Sequence, residues 1–280
     1  MQLHVINTGY FKLDGGAMFG VVPKSIWQRT NPADENNLCT WALRCLLIED
    51  GDRLILIDTG MGDKQSEKFF SYYYPSGSES LLGSLKNAGF SPGDITDVFL
   101  THLHFDHCGA AVKYDHKGAL VPAFPRAVYW SNNDHWQWAV NPNSREKASF
   151  LKENILPLEE SGQLQFASPE TPSPFPQFDI LYMDGHTEKQ MLPVISYKGR
   201  KIVFAADLLP SVGHIPLPYV MGYDVRPLVT LEEKSTFLRQ AVDEKYIIYF
   251  EHDAQNECCT LKHTDRGVRL AEAFPLKEIE

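Results

Sequence analysis

No stretch of the 280-residue chain approaches 18 consecutive apolar residues, so the sequence offers nothing long enough to span a membrane as a helix. The opening residues MQLHVINTGYF carry neither a basic patch nor an apolar leader core. They read as a strand, which sets the expectation of a chain without a secretory signal. Basic residues are few beside the acids, 26 Lys and Arg against 36 Asp and Glu, for a net charge of −10. That balance opposes binding to a phosphate backbone, which depends on cationic neutralisation, so no nucleic-acid partner is expected. Cysteine is sparse and odd in number: Cys39, Cys45, Cys108, Cys258 and Cys259 form no CxxC pair. Reduced thiols in a cytoplasmic protein are the expectation, not a disulfide framework or a thiolate metal site.

What is present is a core-forming chain, 43% hydrophobic and 12% aromatic. Apolar runs punctuated by turn residues read as strands: TWALRCLLIEDGDRLILIDTG and MLPVISYKGRKIVFAADL as hairpins, with ITDVFLTH, RAVYWS, FDILYMDG and KYIIYFEHD as single strands. The two hairpins echo one another, each running out into an aspartate, Asp58 and Asp207. Helices are expected over SESLLGSLKNAGF and over TLEEKSTFLRQAVDEK, the latter opening on a Thr230/Glu233 capping box, and also over SREKASFLKENIL and TDRGVRLAEAF. The pattern suggests two strand-rich layers between helices. Two long irregular stretches interrupt it, GGAMFGVVPKSIWQRTNPADENN and the proline-rich SPETPSPFPQF.

The chemistry concentrates in THLHFDHCG. On an extended segment alternate residues face one side, so His102 and His104 can grip one ion, while Asp106 and His107 can point to a second. Three more polar residues follow apolar runs directly: His186 in LYMDGHT, Asp207 in VFAADLL and His252 in IIYFEHD. Imidazole and carboxylate are the donors of catalytic zinc sites, which keep a position open for water.

The set HLHFDH, GHT, AAD and EHD, with LILIDTG ahead of it, resembles the metallo-β-lactamase-fold hydrolases over nearly the whole chain. The resemblance implies an α/β (α+β) fold, a four-layer αββα sandwich of two mixed β-sheets flanked by helices, as one domain over residues 1–280. It implies two divalent metal ions, one on His102, His104 and His186, the other on Asp106, His107 and His252, with Asp207 bridging. Zinc is the default, and manganese, iron or cobalt suit the same donors. Asp58 is expected to be structural; His4, His116, His135, His214 and His263 match no ligand position. The implied reaction is metal-dependent hydrolysis by a hydroxide held between the ions, with Asp106 as catalytic group handling a proton.

The chain looks most like the N-acyl-homoserine lactonase and methyl-parathion-hydrolase-like branch. That likeness rests on DGGAMFGVVPKSIW, whose Met18, Phe19, Val21 and Trp27 are expected to wall an apolar pocket. The expected substrate is a small lactone or ester with an apolar tail. An organophosphate or aryl ester, or a glyoxalase II-like thioester, is the alternative, and a metal-binding protein without activity is the outlying one. In several such lactonases a tyrosine lies three residues after the bridging aspartate; here that position is Pro210, and His214, Tyr219 or Tyr223 is expected to substitute for it in contacting substrate. The long N-terminal loop also leaves a homodimer open.

Overall fold

The computed structural model describes residues 1–279. From the N-terminus, β1 (Gln2–Asp14) leads through two short helices, α1 (Gly15–Phe19) and α2 (Lys24–Trp27), to the hairpin β2 (Leu38–Asp50) and β3 (Arg53–Ile57). Then come α3 (Glu67–Tyr73), α4 (Leu81–Asn87), β4 (Asp97–Phe99), α5 (Phe105–Cys108) and the small hairpin β5 (Val112–Tyr114) and β6 (Leu120–Pro122). Next are β7 (Val128–Asn132), α6 (Asn133–Val140), α7 (Lys152–Glu160) and β8 (Leu164–Ala167). The remainder is β9 (Phe178–Met183), β10 (Gln190–Tyr197), β11 (Arg200–Phe204), α8 (Pro227–Asp243), β12 (Ile247–Tyr249), β13 (Cys258–Thr264) and β14 (Gly267–Phe274). The result is an α/β chain with two six-stranded mixed sheets, ordered β1-β2-β3-β4-β7-β8 and β14-β13-β12-β11-β10-β9.

The chain divides into two compact units, Met1–Gly9 with Leu43–Pro174, and Tyr10–Ala42 with Phe175–Glu280. In the first, β3, β4, β7 and β8 run parallel, and β2 turns back on β3. Its core joins sheet residues such as Leu47, Leu56 and Val98 to Leu81 and Leu85 of α4, Trp136 of α6, and Ile155 and Leu158 of α7. Helix α4 starts where expected, because Ser80 accepts from the Gly83 N–H and offsets an orphan donor. In the second unit, β10 and β11 form a hairpin and β12 returns parallel to β11. Phe237, Leu238 and Ala241 of α8 pack with Leu192, Val203 and Ile248.

The echo between the two hairpins therefore extends to topology, since each hairpin is followed by a strand parallel to its second member. Both turns have two residues and use positive φ where the twist of a hairpin wants it, at Gly51 (+59°) and at Lys198 and Gly199 (+50° and +76°).

Three expectations are corrected. TDRGVRLAEAF is not a helix: Thr264 pairs with Gly267, whose φ is +87°, and residues 267–274 return along β13 as β14. Helix α8 begins at Pro227, which fits the first turn because it lacks the N–H that would go unbonded there. Thr230 thus lies inside the helix, and Glu233 accepts instead from the N–H groups of Asp184 and Gly185. In SREKASFLKENIL only the second half is helical; the Asn143 side chain caps a separate turn at Arg145 and Glu146, and α7 starts at Lys152 and runs through Pro157. Among the described residues no helix is long and apolar enough to cross a membrane, and all five cysteines are free and buried.

Candidate metal centre

Parallel pairing decides where the polar residues emerge. Because β3 and β4 run in one direction, Asp58 and His102 leave the first sheet at the same edge. Asp58, at φ +56°, sits in a backbone region that few residues other than glycine adopt. Its carboxylate accepts from Thr101 N at 2.8 Å, Thr101 Oγ1 at 2.6 Å and His107 Nδ1 at 3.0 Å. Thr59 donates through its N–H and its hydroxyl to the His107 carbonyl at 2.7 and 3.0 Å. A Cβ on Gly109 would lie 2.0 Å from the Met61 carbonyl oxygen, so the loop after β3 is packed backbone to backbone on α5. The DTG motif thus builds a platform that fixes the His107 ring.

His102, His104, Asp106 and His107 are all buried. His102 and His104 face each other, Nε2 to Nδ1, at 3.1 Å. The Thr101 hydroxyl gives its proton to Asp58 and so accepts from His102 Nδ1 at 3.1 Å, which leaves a lone pair on His102 Nε2. His104 Nε2 lies 3.5 Å from Oε1 of Glu146, a side chain whose Oε2 is held by Trp138 at 2.7 Å and Asn143 at 2.6 Å. With its proton toward Glu146, His104 presents the Nδ1 lone pair to His102. Ring protons are assigned here from their partners.

Helix α3 covers this loop. The rings of Phe69 and Tyr73 pack on Phe105, between His104 and Asp106, with centroids 5.1 and 4.6 Å away. Burial, assisted by the Asp106 charge, pushes the Tyr73 phenol up to about 12.

The second unit repeats the edge placement. Strands β9, β11 and β12 share a direction, so His186, Asp207 and His252 emerge together. The residue before Asp207, Ala206, takes φ +40°. Asp207 lies between two imidazoles, its Oδ2 3.0 Å from His186 Nε2 and its Oδ1 3.1 Å from His252 Nε2. Each ring is oriented from its far side: His186 Nδ1 contacts Asp224 Oδ1 at 2.9 Å, and His252 Nδ1 donates to the Ala42 carbonyl at 2.9 Å. Burial alone would lower the His186 pKa, but Asp207 and Asp224 outweigh it and raise it to about 10.

These donors fit metal ions on polarity. A carbonyl can only accept, so His252 must carry its proton on Nδ1, and a neutral ring then turns a lone pair toward a carboxylate oxygen. The facing nitrogens of His102 and His104 pose the same conflict. Acceptors aimed at one another in a buried site require a cation between them, a proton or a metal. Imidazole with its outer nitrogen hydrogen-bonded to a carboxylate or carbonyl is the usual setting of a metal ligand.

Asp224 and Glu146 were not foreseen, because neither belongs to a recognisable motif. Neither was the aromatic cover; its signal was the run EKFFSYYY, with Phe69 and Tyr73 one helical turn apart. The residues expected to contact substrate are placed differently. Met18, Phe19 and Trp27 lie in the second unit's packed interior, Phe19 stacked between Trp27 (5.3 Å) and His214 (4.4 Å). His214 is buried too, with Nδ1 on Ser211 and Nε2 on the Met18 carbonyl, both at 2.9 Å, and desolvation lowers its pKa to about 3. Tyr219 is half-buried, edge-on to Phe19, and Tyr223 is exposed. His135 accepts from the Leu103 N–H at 2.8 Å. Cys108 is packed, its thiol pushed up by burial to about 12.

The Metallo-beta-lactamase superfamily matches residues 44–252 of the chain. An N-acyl homoserine lactonase of Bacillus cereus is 24% identical over 247 residues, covering 83% of this chain and 88% of its own. Among solved structures, a probable metal-dependent hydrolase from Staphylococcus aureus superposes with a TM-score of 0.88 at 28% identity, covering 100% of this chain and 98% of the other. A dizinc quorum-quenching lactonase, AidC, in complex with the product N-hexanoyl-L-homoserine, superposes with a TM-score of 0.79 at 23% identity, covering 98% of this chain and 95% of its own.

Proposed function

Because the chain belongs to the metallo-β-lactamase superfamily, we propose that it is a dinuclear metal-dependent hydrolase that opens lactones, first among them an N-acyl-homoserine lactone with an apolar tail. The reading rests most on the Asp207 carboxylate lying between the Nε2 atoms of His186 and His252, two rings each anchored at the outer Nδ1. By likeness to the family, His102, His104 and His186 would hold one ion, Asp106, His107 and His252 the other, and Asp207 both. Zinc is the ion we assign, in keeping with nitrogen and oxygen donors and with the dizinc relative.

When bound, the two ions would supply a water activated for attack at neutral pH and would polarise the scissile carbonyl. The protein's part is orientation and proton handling. Asp58, Asp224 and the Ala42 carbonyl hold the outer nitrogens of His107, His186 and His252, so each ring keeps its Nε2 lone pair inward. Asp106, buried beside His107, would take a proton from the nucleophile and return it to the alkoxide oxygen released as the ring opens. The Phe69–Tyr73–Phe105 face would shelter the reacting atoms from water and receive the tail. Tyr219 and Tyr223 remain candidates for substrate contact.

The test is proton release by zinc-loaded protein presented with N-decanoyl-homoserine lactone, γ-nonalactone, methyl paraoxon and S-lactoylglutathione, with Asp106→Asn as control. Lactone turnover that falls 100-fold or more in the control is expected. Turnover of the phosphotriester or thioester alone would overturn the lactone reading while keeping a hydrolase, and silence on all four would overturn both.

A further inference from the structure

Helix α3 turns two aromatic rings, Phe69 and Tyr73, toward Phe105, and the Tyr73 hydroxyl is the one polar atom of that pair. Phe69 and Tyr73 lie one turn apart, their centroids 4.9 Å from each other, and both lean on Phe105. Two tilted ring contacts, at interplanar angles of 45° to Phe69 and 47° to Phe105, hold the Tyr73 ring, and the side chain is half-buried. Among the described residues its hydroxyl meets no hydrogen-bond acceptor. Other sequestered tyrosines do find one, Tyr129 on the Ala111 carbonyl and Tyr246 on Glu244. A tyrosine whose ring is buried normally finds a partner for its O–H. Here that partner must come from solvent or ligand.

We propose that the Tyr73 hydroxyl is a specificity-determining hydrogen-bond donor that recognises a carbonyl on the substrate's acyl side, beyond the scissile bond, as in an N-acyl amide. The inference rests on the lactone reading above and deepens it. The Tyr73 ring lies 4.6 Å from that of Phe105, the residue between His104 and Asp106, which sets it against the loop that carries those side chains. Burial keeps the group protonated at working pH, so it donates and does not act as a base. An amide carbonyl entering along Phe69 and Phe105 would displace the water on that hydroxyl and replace its hydrogen bond. A simple alkyl lactone would leave the donor without a protein or ligand acceptor and gain nothing from it.

The experiment compares wild type with Tyr73→Phe, which keeps the ring and its packing. For the zinc-loaded proteins, kcat and KM are measured on N-decanoyl-homoserine lactone and on γ-nonalactone, which lacks the amide. Calorimetry gives the Kd of the ring-opened N-hexanoyl-homoserine. One neutral hydrogen bond corresponds to roughly a three- to tenfold effect. The variant should lose that factor in kcat/KM on the acyl lactone, chiefly through KM, and in product affinity, a loss clearly greater than any on γ-nonalactone. Equal losses on both lactones, or none on either, would overturn the assignment with the lactonase reading intact. A wild type that hydrolyses neither lactone and binds no product would instead sink the lactonase reading, and the assignment with it.

Discussion

Replacing Asp58 with asparagine tests how the first unit prepares its ligands. The carboxylate is fully buried and accepts three hydrogen bonds, from Thr101 N, Thr101 Oγ1 and His107 Nδ1. In Asp58→Asn the amide oxygen can keep the Thr101 N–H, but the amide NH2 then meets His107 Nδ1. A donor at that place favours the tautomer with the proton on Nε2, which removes the lone pair a metal would use. Loss of such an orienting partner lowers metal affinity by about 10- to 100-fold, equivalent to roughly 1.4–2.7 kcal/mol. The assay is zinc titration against a competing chelator, which resolves the weaker of two sites. Asp97→Asn is the control, since Asp97 is also a buried carboxylate of that sheet but is bonded to Arg53 and Trp130. The weaker zinc should loosen in Asp58→Asn and not in Asp97→Asn, even though both variants lose stability. Zinc affinity within twofold of wild type in Asp58→Asn, or an equal loss in both variants, would refute the reasoning.

Other outcomes follow from single contacts. Lys234 is buried in α8 with its ammonium on the Pro216 and Tyr219 carbonyls, and burial lowers its pKa to about 7. Its unfolded value is near 10.4, so below pH 7 both states are protonated and stability is flat. Between about pH 7 and 10 the unfolded chain binds more protons, so stability rises with pH by at most about 1.4 kcal/mol per unit. Lys234→Met should therefore outdo wild type most below pH 7, its advantage shrinking toward pH 10 in urea midpoints; a constant difference would count against the buried amine. A Cβ on Gly185 would lie 2.2 Å from Thr230 Oγ1 and 2.4 Å from its N, so Gly185→Ala should cost about 1–3 kcal/mol and lower Tm by several degrees. An unchanged Tm would mean that the turn before His186 is looser than described. Native protein should show no thiol that reacts rapidly with a disulfide reagent and five after denaturation, because every cysteine is buried; one fast thiol would contradict that packing.

Strands and polar ends were legible because each apolar run stops at a polar residue where a parallel strand leaves its sheet, as with Asp58, His102, Asp207 and His252. The helix reading of 264–274 failed because its apolar spacing, taken locally, could not reveal that β13 lies ready to pair with it. Orienting partners were out of reach for a related reason: Asp224 stands 38 residues from His186, and nothing in its neighbours marks it. Apolarity alone likewise does not separate a pocket wall from interior packing: Phe19 and Trp27, expected as a wall, are buried and stacked on one another. For His214 the sequence carried no sign that both ring nitrogens are engaged inside the fold.

The second compact unit draws residues 10–42 from one end of the chain and 175–280 from the other. On the ribosome residues 10–42 emerge before the rest of their unit, with Phe19, Trp27 and Trp41 destined for full burial. Its partners, among them His214 against Phe19, are made more than a hundred residues later. At about 5–20 residues per second that interval is on the order of ten seconds. During it the first unit can begin to assemble, while the aromatic-rich strap has only its own rings, such as Phe19 on Trp27, to pack against. The second unit therefore cannot close around these rings until residues 175 onward have been made.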